Sequence, residues 1–525
     1  MKFVVLTTLI LLGCLLVGCT SGEPVVIVIT ATFAPTSEAG VLPETAATPL
    51  SGSEVTTDNQ NIDSGQTTGQ NQDVSTYTVQ PGDTLTGIAD AHDTTLATLM
   101  DLNQITDPDV ISVGQVIELP PAPGQVTSDL KLLSDVQLIR APGSDQFDVA
   151  AFIVSQPGYI RVASDTVPTN QANGFPVNEV LKAADIVTRV STEFSIDPRV
   201  LLALLEYRAG WLSNPSPQPE LLNFPMISEA AAGTIDRKGL YKQLAWTANE
   251  LNRGYYGWKY DGWRILEFDQ GQRLLYASNL NPATVGLQHM LHLANTFDRW
   301  KYDVSSAGFY QIYTRYFGDP FTSDTNTLAG LTTQPDLTLP FISGETWFFT
   351  GGAHGGWGTG SAWAAIDFAP PDDRTDNILC YTSDHFARAV APGVIARSNQ
   401  GVVILDLDGD GNELTGWIIL YLHIASQDRV TAGVWVQTGD IIGRPACEGG
   451  FSTATHMHIA RRYNGEWLPA DCLSCAPSLI IPTFTLSGWS VVSLKSQEYQ
   501  GYLLKNGEQR TAEQGRLSPV NRVSW

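Results

Sequence analysis

Apolar and polar positions divide the chain into stretches with different rhythms. Phe3 to Val17 is almost wholly apolar. Residues 19–74 have no period, and Thr, Ser, Gly, Gln, Asp and Pro dominate them, so this segment reads as a flexible linker that cannot bury a core. Its one exception is the apolar run Val25–Thr32, which fits no element firmly. In residues 75–120, Thr76–Val79 alternates like a strand, and Pro81-Gly82-Asp83-Thr84 makes a turn that ends as a helix cap. Leu85, Ile88 and Ala89 carry helical spacing, Leu96, Leu99, Met100 and Leu102 a second helix, and Val116–Leu119 a closing strand. The unit is therefore βααβ. Residues 121–345 read as mostly helical: Ala183, Ile186, Val187, Val190 and Phe194 form one apolar stripe, and Leu201–Leu205 is continuously apolar. In residues 346–525, Trp417–Leu422 and Gly439–Gly443 alternate with turns, which predicts an antiparallel, β-rich domain. The fold class is thus multidomain: a small βααβ unit, a mostly helical middle domain and a β-rich C-terminal domain.

A length of 525 residues leaves room for these parts at about 100–200 residues per domain. The balance is acidic, 30 Lys+Arg against 54 Asp+Glu, for a formal net charge of -24. That excludes nucleic acid as a partner, since phosphate binding needs a basic surface, and it excludes a polybasic grip on anionic lipid. The N-terminus changes the picture further. Lys2 followed by the apolar run reads as a secretory signal peptide over residues 1–18. Leu16-Val17-Gly18-Cys19 resembles a lipobox, with Cys19 as the lipidated residue, and Leu11-Leu12-Gly13-Cys14 is a weaker match. An uncleaved spanning helix is the alternative. Each reading puts the rest of the chain outside the cytoplasm, anchored to the cell membrane. There, Cys380, Cys447, Cys472 and Cys475 suggest disulfides in any of three connectivities.

Candidate chemistry gathers near the C-terminus. Five of the eight histidines, His354, His385, His423, His456 and His458, lie after residue 346. In His456-Met457-His458, residues two apart on a strand point to one face, so both imidazoles reach one site. Neutral imidazole is a good zinc ligand, and a catalytic zinc usually keeps three protein ligands and an open position. No HExxH helix is present. Asp406-Leu407-Asp408-Gly409-Asp410-Gly411-Asn412-Glu413 matches the start of a calcium loop. Asp406, Asp408, Asp410 and Glu413 are its candidate ligands, and an acidic hairpin turn is the alternative. His289 and His292 share a helix face, but no third ligand accompanies them. Cys472-x2-Cys475 lacks the second pair that a structural zinc needs.

Three resemblances attach to these residues. YTVQPGDTLTGIA, LMDLNQI and VGQVIELP, in order, resemble a LysM domain. This implies binding to N-acetylglucosamine-containing glycan through Gly82, Asp83, Thr84 and Ile105. FSIDPRVLLALLEYRAGW is faintly similar to lysozyme-like transglycosylases, but Arg208 stands where that family has its catalytic Glu, and Glu206 falls on another face. The middle domain is therefore expected to be non-catalytic. GGAHGGW, AAIDFAP, LYLHIA, VQTGDIIG and GFSTATHMHIARR resemble the lysostaphin/LytM family of peptidoglycan metalloendopeptidases. The resemblance implies that residues 346–525 form a zinc peptidase domain, with His354, Asp367 and His458 as zinc ligands and His423 and His456 as catalytic histidines. Its partner would be peptidoglycan, both glycan strands and peptides. The departure is spacing: twelve residues, Gly355 to Ile366, separate His354 from Asp367, with Trp357 at the rim and Asp384 and Asp372 as weaker substitutes. A non-catalytic wall-binding scaffold or hydrolase activator is the alternative function.

Overall fold

The four elements of the βααβ unit form where the pattern puts them: β1 (Ser75–Thr78), α1 (Leu85–Ala91), α2 (Leu96–Asn103) and β2 (Val116–Leu119). β1 pairs antiparallel with β2, and Val79, Leu85, Ile88, Ala89, Leu99, Ile117 and Leu119 fill a core of their own. The computed structural model describes residues 75–525 except 93, 95, 121–124, 270, 323–325, 375–376 and 477–478. The expected signal peptide, Cys19, the linker and Val25–Thr32 lie outside the described residues. Among the described residues no helix is long and apolar enough to cross a membrane.

The middle region is mostly helical, with two features that the apolar stripes did not reveal: a small three-stranded sheet of Gln125–Val126, Arg273–Leu275 and Ile265–Glu267, and a hairpin. The hairpin of β3 (Ser164–Asn170) and β4 (Pro176–Lys182) precedes α3 (Ala183–Phe194). Val180, which heads the apolar stretch in the sequence, therefore lies in β4, and the helix begins only at Ala183. Most of β4 is exposed, so burial left no two-residue period in its sequence. α4 (Pro198–Ala209) starts at the Asp197 cap, ends on left-handed Gly210, and buries Leu201 to Leu205 throughout. α5 (Leu240–Lys259) packs along α6 (Pro282–Leu293). Gly254 and Gly286 let the two backbones meet, since a Cβ on Gly286 would sit 2.6 Å from the Leu251 carbonyl oxygen.

The C-terminal region is built on a nine-stranded sheet. Its strands are β5 (Trp347–His354), β6 (Ala365–Ala369), β7 (Gly393–Asn399), β8 (Val402–Asp406), β9 (Trp417–Leu422), β10 (Trp435–Val436), β11 (Met457–Tyr463), β12 (Glu466–Trp467) and β13 (Arg522–Val523). They run in the order β10-β7-β8-β9-β11-β6-β5-β13, with β12 folded back on β11. The central strands are buried on both faces, so their sequences are nearly continuous apolar runs. Alternate residues serve different cores. Ile366, Phe368, Val403, Leu405, Ile419, Tyr421, Met457 and Ile459 face a core shared with Phe484, Trp489 and Val491. Ala365, Val402, Ile404, Ile418, Leu420 and Ala460 face the core shared with the helices.

Buried charges join sheet and helices. The Glu413 carboxylate meets Arg140 at 3.2 Å, Arg397 at 3.1 Å and Arg462 at 3.0 Å. Glu466, fully buried, takes Lys259 at 2.6 Å and the Tyr260 hydroxyl at 2.6 Å. Burial opposes the charge on Glu413, but the three guanidinium groups outweigh it and hold its carboxyl down to about 2. Unfolded, this group titrates near 4.5. A depressed folded-state value adds stability above that pH, and the contribution is lost as pH falls towards 2. Glu413→Gln should destabilise the fold by about 3–5 kcal/mol at pH 7, the usual cost of removing one partner of a buried charge cluster. Urea unfolding at pH 7 and pH 3 checks this, and the difference between variant and wild type should shrink at pH 3.

The same contacts correct one expectation. Glu413 does not join Asp406, Asp408 and Asp410, because its carboxylate is turned to the three arginines. The aspartates' oxygens lie within 4.8 Å of one another. Asp406 accepts from the backbone N–H of Asp408 and Gly411, and Asp410 from that of Asn412, as in an acidic turn. The four-ligand calcium set is not assembled. The cysteines pair as Cys380–Cys447 and Cys472–Cys475, which settles the connectivity.

Candidate metal centre

Sheet register builds the centre. Leu422 of β9 pairs with His458 of β11, His458 with Asp367 of β6, and Asp367 with Gly351 of β5. Met457 and Phe368 point into the opposite core, so His458 and Asp367 share the helix-facing side. β5 shifts register between Gly351 and His354, and the shift brings His354 to the same place. The His354 Nε2 and His458 Nδ1 atoms are 2.9 Å apart, and Asp367 Oδ1 lies 3.2 Å from the first and 3.3 Å from the second.

These atoms fit a divalent metal. A tetrahedral zinc with ligands at about 2.0–2.1 Å has ligand atoms about 3.3 Å apart, near the observed triangle. Asp367 Oδ1 is also buried without a satisfying hydrogen bond, an unusual state for a carboxylate. The outer nitrogens are fixed in the sense that ligation requires: His354 Nδ1 donates to the Gly352 carbonyl at 2.7 Å and His458 Nε2 to the Gly356 carbonyl at 3.1 Å. Burial opposes charge on Asp367, but His354 and His456 hold its carboxyl well below the usual range. Burial likewise opposes protonation of His354, yet Asp367 holds that imidazole above its ordinary value, while burial carries His458 below.

His423 and His456 stand beside this triangle, with ring centroids 4.6 Å apart, and His456 Nε2 is 3.7 Å from Asp367 Oδ1. Each donates from Nδ1 to a backbone carbonyl, His423 to Glu448 at 3.1 Å and His456 to Ala454 at 2.8 Å. That tautomer leaves each Nε2 as a proton acceptor. His423 follows β9 in a left-handed conformation, φ 64°, which is uncommon for a non-glycine residue. Burial pushes its imidazole well below the usual range, and His456 and His458 add to the effect. His456 is the most exposed of the five side chains, at 19 %, so the centre opens to solvent at that end.

The long insert does not part the ligands. It leaves β5, docks on α5 and returns to β6. Gly360 N–H donates to the Asn249 side chain at 2.8 Å, and Arg253 donates to the Thr359 hydroxyl at 2.7 Å. Trp357 is half-buried against the helical core. Asp372 accepts from Tyr381, Ser383 and the Asp384 backbone, so it is bound up in its own turn. His385 is half-buried 3.2 Å from Glu345. His289 pairs with Glu250 at 3.2 Å, and His292 donates to the His289 carbonyl. In the βααβ unit, Asp83 accepts from the Tyr77 hydroxyl and the Gln80 N–H, and Thr84 caps α1 through the Gly87 N–H. Gly82 takes the left-handed turn position, and Ile105 packs partly buried on the small core.

Two contributors were not visible in the sequence. Tyr499, φ 67°, stacks on His354 with centroids 4.3 Å apart, and it comes from a C-terminal loop without a motif. Gly351 lies across from Asp367, where a Cβ would sit 2.5 Å from Asp367 Oδ2. Gly351→Ala should therefore tilt the carboxylate and weaken the binding of a divalent metal at this triangle by about 10–100-fold, the range for disturbing a ligand's support. Competition with a zinc chelator measures it, with unchanged circular dichroism as the control.

Two family models match parts of the chain. Residues 131–329 match the family model "LasA, N-terminal domain", and residues 77–120 match the LysM domain. Protease LasA of Pseudomonas aeruginosa is 24% identical over 302 residues, covering 54% of this chain and 67% of that protein. Residues 131–329 are thus similar to the N-terminal domain of LasA. The resemblance to lysostaphin/LytM-type peptidases, with an added LysM domain, stands. The N-acetylmuramoyl-L-alanine amidase XlyB of Bacillus subtilis is 54% identical over 46 residues, 9% of this chain and 14% of that one. Among solved structures, the M23 metalloprotease pseudoalterin from the deep sea superposes with a TM-score of 0.27 at 22% identity, covering 34% of this chain and 96% of that one.

Proposed function

We propose that this chain is an extracytoplasmic zinc peptidase that hydrolyses peptide bonds in peptidoglycan, held to the wall by its LysM domain. The observation that carries this is the triangle of His354 Nε2, Asp367 Oδ1 and His458 Nδ1, with two further imidazoles facing it. His354, Asp367 and His458 would hold the ion, and zinc bound there would supply a Lewis acid that polarises a carbonyl and acidifies water. The remaining chemistry belongs to the chain. An Nε2 acceptor on His456 or His423 takes a proton from the attacking water and returns it to the leaving amine. The carbonyls of Glu448 and Ala454 keep both rings in the tautomer that permits this. Tyr499 holds the His354 ring flat, and the insert fixes His458 through the Gly356 carbonyl. Lipidation at Cys19 and tethering to the membrane complete the proposed setting, since anchoring raises the local substrate concentration without new contacts.

The test is digestion of purified sacculi by the full chain, with and without a chelator, followed by mass spectrometry of the released fragments. The proposal expects new amino termini in stem or cross-bridge peptides, loss of cleavage with chelator, and recovery with zinc. Cleavage that survives complete metal removal, or none from the zinc-loaded protein, contradicts it.

A further inference from the structure

A second cavity, about 640 Å³, lies away from the histidines, between the end of α5, one face of α6, the Thr359–Trp363 part of the insert and the segment around Cys472. Its size is in the range of pockets that hold small organic ligands, roughly 300–1,000 Å³. Its wall is built. The Trp263 backbone N–H donates to the Gly257 carbonyl at 2.9 Å, and the indole lies over Gly257, where a Cβ would come 2.5 Å from the ring. His289 meets the same indole edge-on at 5.3 Å between centroids. Next to it, the Asp261 carboxylate faces the cavity with no hydrogen-bond or charge partner among the described residues.

Charge narrows the occupant. Among the described lining residues, Asp261, Glu267 and Asp471 are balanced by Arg253, Arg264 and Lys495. Several of these are already engaged: Glu267 pairs with Arg273 at 3.3 Å, Arg253 with Glu250 at 3.1 Å, and Asp471 takes the backbone N–H groups of Cys472 and Ser493. A balanced wall with an aromatic platform and, at its rim, an exposed carboxylate that no protein group engages suits a neutral ligand that has an apolar face and hydroxyl edges. We infer that this cavity is a saccharide subsite that takes one or two neutral N-acetylated sugar units, with a C–H face on Trp263 and a hydroxyl on Asp261. The choice of sugar rests on the peptidoglycan reading above. The insert links the two sites: Thr359–Trp363 line the cavity, and the Gly356 carbonyl at the other end of the insert holds His458. Sugar seated here would bring glycan to the helix side of the insert while the peptide is cut on its sheet side.

The test is titration of the full chain with diacetylchitobiose, read by tryptophan fluorescence. Residues 75–120 contain no tryptophan, but Thr94 of that unit lines the cavity, so the assignment of the signal rests on the Trp263 and Asp261 variants. The wild type should show a saturable change. Trp263→Ala should shrink the change to what Trp363, also on the cavity wall, reports and weaken calorimetric binding at this class of site by about ten-fold or more. Asp261→Ala, at a solvent-open position that does not threaten the fold, should weaken it by about ten-fold through loss of a charged acceptor. No fluorescence change in wild type, equal affinities in all three proteins, or saturation by a soluble stem peptide in place of sugar would overturn the inference. Hydrolysis of a soluble wall peptide, measured on the same samples, separates the two claims. Cleavage without sugar binding at Trp263 sinks only the subsite, and sugar binding without cleavage sinks only the peptidase.

Discussion

His458→Ala is expected to leave a folded protein that neither retains zinc nor cleaves wall peptide. His458 contributes Nδ1 to the triangle, and its backbone pairs with both Asp367 and Leu422. Alanine keeps those backbone pairings, so the sheet survives while one ligand is lost. Disturbing a ligand's neighbour alone typically costs 10–100-fold in affinity, so removing the ligand should exceed about 100-fold. Zinc content after dialysis against weak chelator and release of peptide from sacculi measure the two effects, and circular dichroism measures the fold. A variant that keeps both zinc and activity removes His458 from the centre. Asp367→Ala should behave the same way, because no other carboxylate among the described residues joins the cluster.

A different signature is expected for His423→Ala and His456→Ala. Each should keep about one zinc per chain while kcat falls by about 10²–10⁴-fold, the usual worth of a positioned proton-transfer group. KM should change much less, since neither ring holds the ion. Of the two, His456 is nearer the carboxylate and more open to solvent, whereas His423 is buried in a left-handed backbone held by Glu448. If His423→Ala and His456→Ala instead shed zinc as His458→Ala does, the division between ligands and proton-transfer groups is wrong.

How far the sequence could be read follows from which features are local. The βααβ unit was legible because its core positions recur within a few residues and its turn chemistry is explicit at Pro81–Thr84. The partnership of His456 and His458 was legible because the two-residue period of β11 carries back from His458 to His456, whose bridge to Ala446 keeps it extended. Asp367 was harder. The twelve-residue insert obscured the spacing, and only the pairing of Asp367 with both His458 and Gly351 brings it to the site. Glu413 misled because an acidic string looks alike whether it binds an ion or a cluster of arginines, and Arg140, Arg397 and Arg462 come from three distant segments. The β3–β4 hairpin, with Phe175 and Val180 exposed, carries no periodic signal, yet it meets the Cys447–Gly450 segment through Asn170 and Ala172. Tyr499 is a long-range contact with no local trace.

The most direct measurement is anomalous diffraction at the zinc edge from crystals of the full chain. It should yield one strong peak at about 2.0–2.2 Å from His354 Nε2, Asp367 and His458 Nδ1. A zinc-loaded crystal with no peak there, or with the ion held elsewhere, would contradict the account.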